Sequence, residues 1–124
     1  MKTILIIASI SGFLAVMIGA IGAHALKDIL EQVGKVEQFE TGNRYHWYHT
    51  LILFGLAWLH HTYGGSLYVY ASWSFLLGIL LFTCSLYAYS LTGTKVFAHI
   101  TPFGGLAFLA GWGLTLTAIF KSNF

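Results

Sequence analysis

Charge is what this chain has least of. Of its 124 residues only 8% are Asp, Glu, Lys or Arg, whereas 57% are apolar. Six Lys or Arg and four Asp or Glu cannot coat the surface of a soluble domain. The composition therefore reads as a membrane protein with a single domain. Basic clusters are missing as well. The formal net charge is +2 and no basic run occurs, so nucleic acid is not an expected partner. The single cysteine, Cys84, excludes an internal disulfide and says nothing firm about redox compartment. There is no phosphate-cradling glycine loop and no serine with an evident base and orienting acid. Gly104-Gly105 lacks the rest of any nucleotide fingerprint. Ion-coupled transporters usually hold an acid or base near mid-membrane, and none is found here. These absences lead to the expectation of a protein that is not an enzyme and carries no cofactor or metal.

Apolar runs are what the chain does have. Four segments, at about 3–25, 45–63, 67–91 and 97–120, contain no Lys, Arg, Asp or Glu. Each is long enough, at ~1.5 Å per residue, to cross a hydrocarbon core of ~30 Å. The first is too long for an ordinary signal core and reads as a retained helix. The stretches "YGGS" at 63–66 and "TGTK" at 92–95 are short, which predicts antiparallel hairpins on either side of the third segment. The connector 26–42 differs. Leu26, Ile29, Leu30, Val33, Val36 and Phe39 recur every three or four residues, and charged residues fill the other face. This pattern predicts an amphipathic helix at the interface, with an interruption at Gly34. Glu40 and Arg44 are spaced to pair across one turn. Lys and Arg are more frequent on the connector side, which leans toward that side being cytoplasmic.

Small residues mark the expected packing faces. Ser11, Ala15, Gly19 and Ala23 are spaced by four in the first segment. Gly104, Ala107, Gly111 and Thr115 form a similar set in the fourth. Such stripes let helix backbones approach closely in lipid. Pro102 falls near the start of the fourth helix, where a missing N–H matters least.

The remaining polar groups gather toward the connector side. His24 ends the first segment, His46 and His49 begin the second, and His99 begins the fourth. Tyr45, Tyr87 and Thr101 are placed nearby. Three readings are open at this point. Histidines and aromatics favour the headgroup level, and His60, His61 and Tyr63 repeat the pattern at the opposite end. Alternatively, the group forms a buried hydrogen-bond network centred on His24 and His49. In the third reading it is a ligand, metal or proton site, in one chain or in a small transporter-like oligomer, since imidazole is a common ligand.

Four blocks carry a family resemblance: "GAIGAHALK" at 19–27, "YHWYHTL" at 45–51, "GILLFTCSLYAYSLTG" at 78–93 and "ITPFGGLAFLAGW" at 100–112. In this order they resemble the small membrane proteins of the YgdD/YwdK type, domain-of-unknown-function family 423. The resemblance implies four transmembrane helices in the bacterial inner membrane. It carries over His24, Tyr45-His46, His49, Ser85-Leu86-Tyr87, Thr101-Pro102 and Gly104-Gly105. Thr83-Cys84-Ser85 departs from the smaller residues of many relatives, and the tail "KSNF" lacks a strongly basic end. No reaction follows from the resemblance. The expectation is an all-α, multi-pass four-helix bundle with an amphipathic connector. Its expected role is a non-enzymatic accessory, structural or regulatory one, with the lipid bilayer and either a homo-oligomer or a larger membrane complex as partners.

Overall fold

A computed structural model describes residues 1–123 and is all-helical over them. Five helices follow in order: α1 Lys2–Ala23, α2 Lys27–Val33, α3 Val36–Tyr63, α4 Ser66–Thr92 and α5 Lys95–Lys121. Three of them, α1, α4 and α5, are long and apolar enough to cross a membrane. α3 falls short by composition, because histidines and aromatics flank its apolar middle at 51–59.

The expected boundary between connector and second segment does not exist. α3 runs unbroken for 28 residues, from within the charged stretch to Tyr63. "TGN" at 41–43 resembles a turn in composition, yet Gly42 is helical and buried. A Cβ there would lie 3.2 Å from the Leu86 Cβ, so glycine serves close packing of α3 on α4. The real break is Gly34. It adopts the left-handed conformation at φ 74°, and its N–H reaches the Leu30 and Glu31 carbonyls. The Lys35 N–H also returns to Leu30, which closes α2 after seven residues. α2 buries Leu30 but leaves Ile29 exposed. The expected Glu40–Arg44 pair does not form, because Arg44 donates to the Thr41 hydroxyl at 3.2 Å.

Neighbouring long helices are antiparallel. α1 packs chiefly on α3, α3 on α4, and α4 on α5. Along α1 the buried face is Ile4, Ala8, Ser11, Ala15 and Gly22. The anticipated spacing of four is therefore followed only in part. Four residues turn a helix by about 40° more than a full circle. Three such steps carry Ala23 well off the Ser11 face, and it is exposed. Gly22 replaces it, and its missing side chain makes room for the Phe39 ring. In α5 the mixed spacing of three and four holds the face: Gly104, Ala107, Gly111 and Thr115 are all buried.

The seam between α4 and α5 is the tightest. α4 contains one widened turn, a π-helical segment at Ile79–Thr83. Gly104 sits against it, and a Cβ there would collide with the main-chain nitrogen of Phe82. Gly78 and Gly111 make similar room for the rings of Phe108 and Phe75. Hydroxyls add bonds along the same seam, Ser74 to the Ala107 carbonyl at 2.7 Å and Ser85 to Thr101 at 2.6 Å.

Two glycine substitutions should separate packing from helix propensity. Gly104→Ala must displace main chain and is expected to cost about 1–3 kcal/mol. Gly55 has nothing within 4 Å of its would-be Cβ, so Gly55→Ala should be neutral or slightly stabilising. Thermal unfolding of the purified protein in detergent, followed by circular dichroism, reads both. Equal midpoints for the two variants would contradict the tight seam.

Candidate functional site

The first half of α3 lays a polar row along one side of the helix. Asn43, His46 and Thr50 recur at spacings of three and four, so they share a face. α1 meets that face with Ser11 and the Ala15 carbonyl, and α4 meets it with Tyr87. His46, Thr50 and Tyr87 are all buried.

Five hydrogen bonds join these groups. Asn43 Nδ2 donates to the Ala15 carbonyl at 2.9 Å and to the Tyr87 hydroxyl at 3.0 Å. The Tyr87 hydroxyl lies 3.0 Å from His46 Nδ1. On the other side of the ring, Nε2 lies 3.0 Å from Ser11 Oγ, which lies 2.7 Å from Thr50 Oγ1. One polarity of the chain runs from Tyr87 to Thr50. Tyr87 already accepts from Asn43, and its own proton needs an acceptor, which His46 Nδ1 provides. His46 then carries its proton on Nε2 and donates to Ser11, which donates to Thr50. In this polarity the Thr50 proton has no acceptor within the chain of bonds, and in the opposite polarity the Tyr87 proton has none. No buried side-chain nitrogen or oxygen among the described residues lacks a partner.

A second cluster surrounds His49. Its Nδ1 lies 2.8 Å from the Tyr45 carbonyl of the preceding turn, so that nitrogen carries the proton. The ring stacks on Phe108 with centroids 3.6 Å apart and planes within 6°. Phe75 and Trp112 stand edge-on or tilted around it, and Tyr45 stacks over its other neighbourhood with Phe82. His46 and His49 thus point to different partners, one to α1 and α4, the other toward α5.

The expected gathering of four histidines is therefore corrected. His24 is exposed at the end of α1, and His99 is exposed near the start of α5. His24 is not the centre of the network; His46 is. Thr101 belongs to the α4–α5 seam through Ser85, and Tyr45 is partly exposed. Among the described residues no group of three or more His, Cys, Asp or Glu comes together to hold a metal. Ser11 was anticipated only as a packing residue, while Asn43 and Thr50 were not anticipated at all. The signal for them was their spacing from His46 on one helical face.

Comparisons with known proteins place the chain among membrane proteins of unknown function. The DUF423 family, described as a protein of unknown function, matches residues 18–105. The UPF0382 inner membrane protein YgdD of Escherichia coli (strain K12) is 39% identical over 122 residues, covering 97% of this chain and 91% of its own length. The UPF0382 membrane protein YwdK of Bacillus subtilis (strain 168) is 38% identical over 122 residues and 98% of each chain. A UPF0382 membrane protein of Haemophilus influenzae is 37% identical over 119 residues, 96% of this chain and 94% of its own. No solved structure matches the chain. The chain belongs to the DUF423 family and is a multi-pass protein of the bacterial inner membrane.

Tyr87→Phe keeps the ring and removes one oxygen from the chain of bonds. It leaves His46 Nδ1 without its donor and an Asn43 proton without its acceptor. The expected loss is about 1–2 kcal/mol, measured as unfolding free energy in micelles. An unchanged stability would mean that these bonds do not hold α1 and α4 to α3.

Proposed function

We propose that this member of the family is a non-enzymatic component of the membrane with four spanning helices, whose role is accessory or regulatory within a larger assembly or a homo-oligomer. In this reading α3 is the fourth span, from about residue 45 to 63. About 19 residues at ~1.5 Å each nearly match the ~30 Å core. Its contacts support this. They run from Phe39 against Gly22 at one end of α1 to the cluster holding Ile4, Leu53 and Leu56 at the other. A helix packed along the whole of α1 crosses what α1 crosses. α2 and the first turns of α3 then lie at the interface, where their charges meet water and Ile29 meets lipid.

The observation that carries the functional reading is the closed polar chain through His46. It joins side chains of α1, α3 and α4 to one another and to main chain. Groups so joined lock helices in register, and with both ring nitrogens engaged His46 offers no free base to a substrate. The outer face of α1 supplies a surface for a partner: Ile6, Ile10, Phe13 and Val16 are each more than half exposed. α1 also has one principal neighbour, α3, and so stands at the edge of the molecule.

A photo-crosslinking residue placed at Phe13, with another at Leu109 on the outer face of α5, tests this in native membranes. The expected result is a discrete protein adduct from position 13. Lipid adducts alone at both positions, together with a monomeric purified protein, would remove the basis for an assembly role.

A further inference from the structure

The mouth of the molecule at the end of α1 holds a second site. We propose that the cleft between α1, α2 and the first turns of α3 binds the head group of a zwitterionic aminophospholipid, with Arg44 and Lys27 taking the phosphate and Glu40 and Glu31 taking the ammonium.

Two adjoining cavities of about 290 and 250 Å³ form this cleft and share Gly22, Ala23, Leu30, Val36 and Glu40. The larger has the volume of roughly ten water molecules at ~30 Å³ each, enough for a small polar head group. Its floor is apolar and supplied by Leu30 and Phe39, both buried. Gly19 and Gly22 form the α1 wall, where a Cβ would meet Asn43 and the Phe39 ring. Charge lies at the rim, with Arg44 and Glu40 lining the larger cavity and Lys27, Glu31 and Glu40 the smaller. Two cations and two carboxylates thus ring one opening.

None of these four side chains is ion-paired among the described residues. Arg44 makes one hydrogen bond among the described residues, to the Thr41 hydroxyl, which leaves most of its guanidinium donors free. Both members of the Glu40–Arg44 couple are four residues apart on one helix, about 5–6 Å between Cβ atoms. That separation suits the phosphate and ammonium at the two ends of an ethanolamine head group. Arginine binds phosphate oxygens through paired N–H donors. Glutamate requires N–H donors in return, which a primary ammonium has and a trimethylated one lacks. An anionic lipid would meet Glu31 and Glu40 with like charge, and the balanced rim offers it no net attraction.

Depth in the membrane agrees. α1 is apolar up to its end at Ala23, and the charges begin just beyond, at Lys27. Trp47 and Tyr48 stand one turn below Arg44, at the level where aromatic belts form. Further along the same sides come Val16 on α1 and Leu51 on α3, both more than half exposed, which gives acyl chains an apolar path away from the cleft.

The full chain, purified in detergent and stripped of lipid, is mixed with equal amounts of phosphatidylethanolamine, phosphatidylcholine and phosphatidylglycerol of matched acyl chains. Retained lipid is counted by native mass spectrometry. Phosphatidylethanolamine should be held about tenfold more than either of the others. Arg44→Gln and Glu40→Gln should each bring it down to the phosphatidylcholine level, whereas Arg44→Lys should keep part of the preference. Circular dichroism and the thermal midpoint should match the parent for all three, since Arg44 and Glu40 are exposed and unpaired. Lys95→Gln, outside the cleft, should change nothing. Equal retention of the three lipids, dominance of phosphatidylglycerol, or a preference that survives both neutral substitutions would overturn the proposal.

Discussion

The hydrogen bonds through His46 are what tie α1 to the rest of the molecule. In a bilayer, a leucine facing another helix is little better off than one facing an acyl chain, so burial alone does not hold α1 in place. A polar group facing lipid, in contrast, costs several kcal/mol. Ser11, His46, Thr50, Asn43 and Tyr87 can be satisfied together in one register only, with Ser11 opposite the 46–50 turn and the Ala15 carbonyl opposite Asn43. A slip of one residue along α1 would break most of these bonds at once. The network therefore sets the position of α1 along α3. The bundle core of Ile4, Ala8, Leu53 and Leu56 packs in whatever register that position allows.

The other half of the molecule uses a different device. Between α4 and α5 the fit is steric: Gly104 against the widened turn of α4, Gly78 under Phe108, Gly111 under Phe75. Rings on one helix enter spaces left by absent side chains on the next, and close approach brings the dispersion gain that lipid cannot match. His49 shares in this half. Its ring lies flat on Phe108, and its one polar tie returns to its own helix at Tyr45. Two histidines three residues apart thus do unlike jobs because they face unlike neighbours.

Much of this was legible in residue patterns, and the failures have physical causes. The spans α1, α4 and α5 follow from apolar runs without charge, because a charge there would be costly. The stop at Gly34 follows from glycine's access to the left-handed region. The fusion of 36–44 with the apolar segment beyond it was hidden. Gly42 and Asn43 have turn composition, and only the tertiary contacts with Leu86, Tyr87 and Ala15 show why they stand within a helix. Ala23 was misplaced because a spacing of four drifts around the helix. His24 drew attention through its position at a change in composition, but it lies just past the last turn of α1 and faces outward. His46 looked no different from its neighbours in sequence. Its partners, Ser11 and Tyr87, come from two other helices, and a single chain read in order does not reveal which segments meet.

The placement of charge obeys the same constraint as the placement of polar groups. All four carboxylates, Asp28, Glu31, Glu37 and Glu40, fall between the end of α1 and the first turns of α3. Deeper in the span an unpaired carboxylate would be costly, so a mixed-charge rim can exist only where the apolar helix ends. Gly34 then decides its form. By ending α2 after seven residues it turns the chain back at once. Lys27 and Glu31 on α2 come to line the same opening as Glu40 on α3. A longer α2 would carry these charges out over water, away from the membrane surface. The cleft is in this sense a product of one left-handed glycine and of the close approach of α3 to α1 at Gly19 and Gly22. Its charges stay unpaired with one another because Arg44 turns back to Thr41 instead of reaching Glu40.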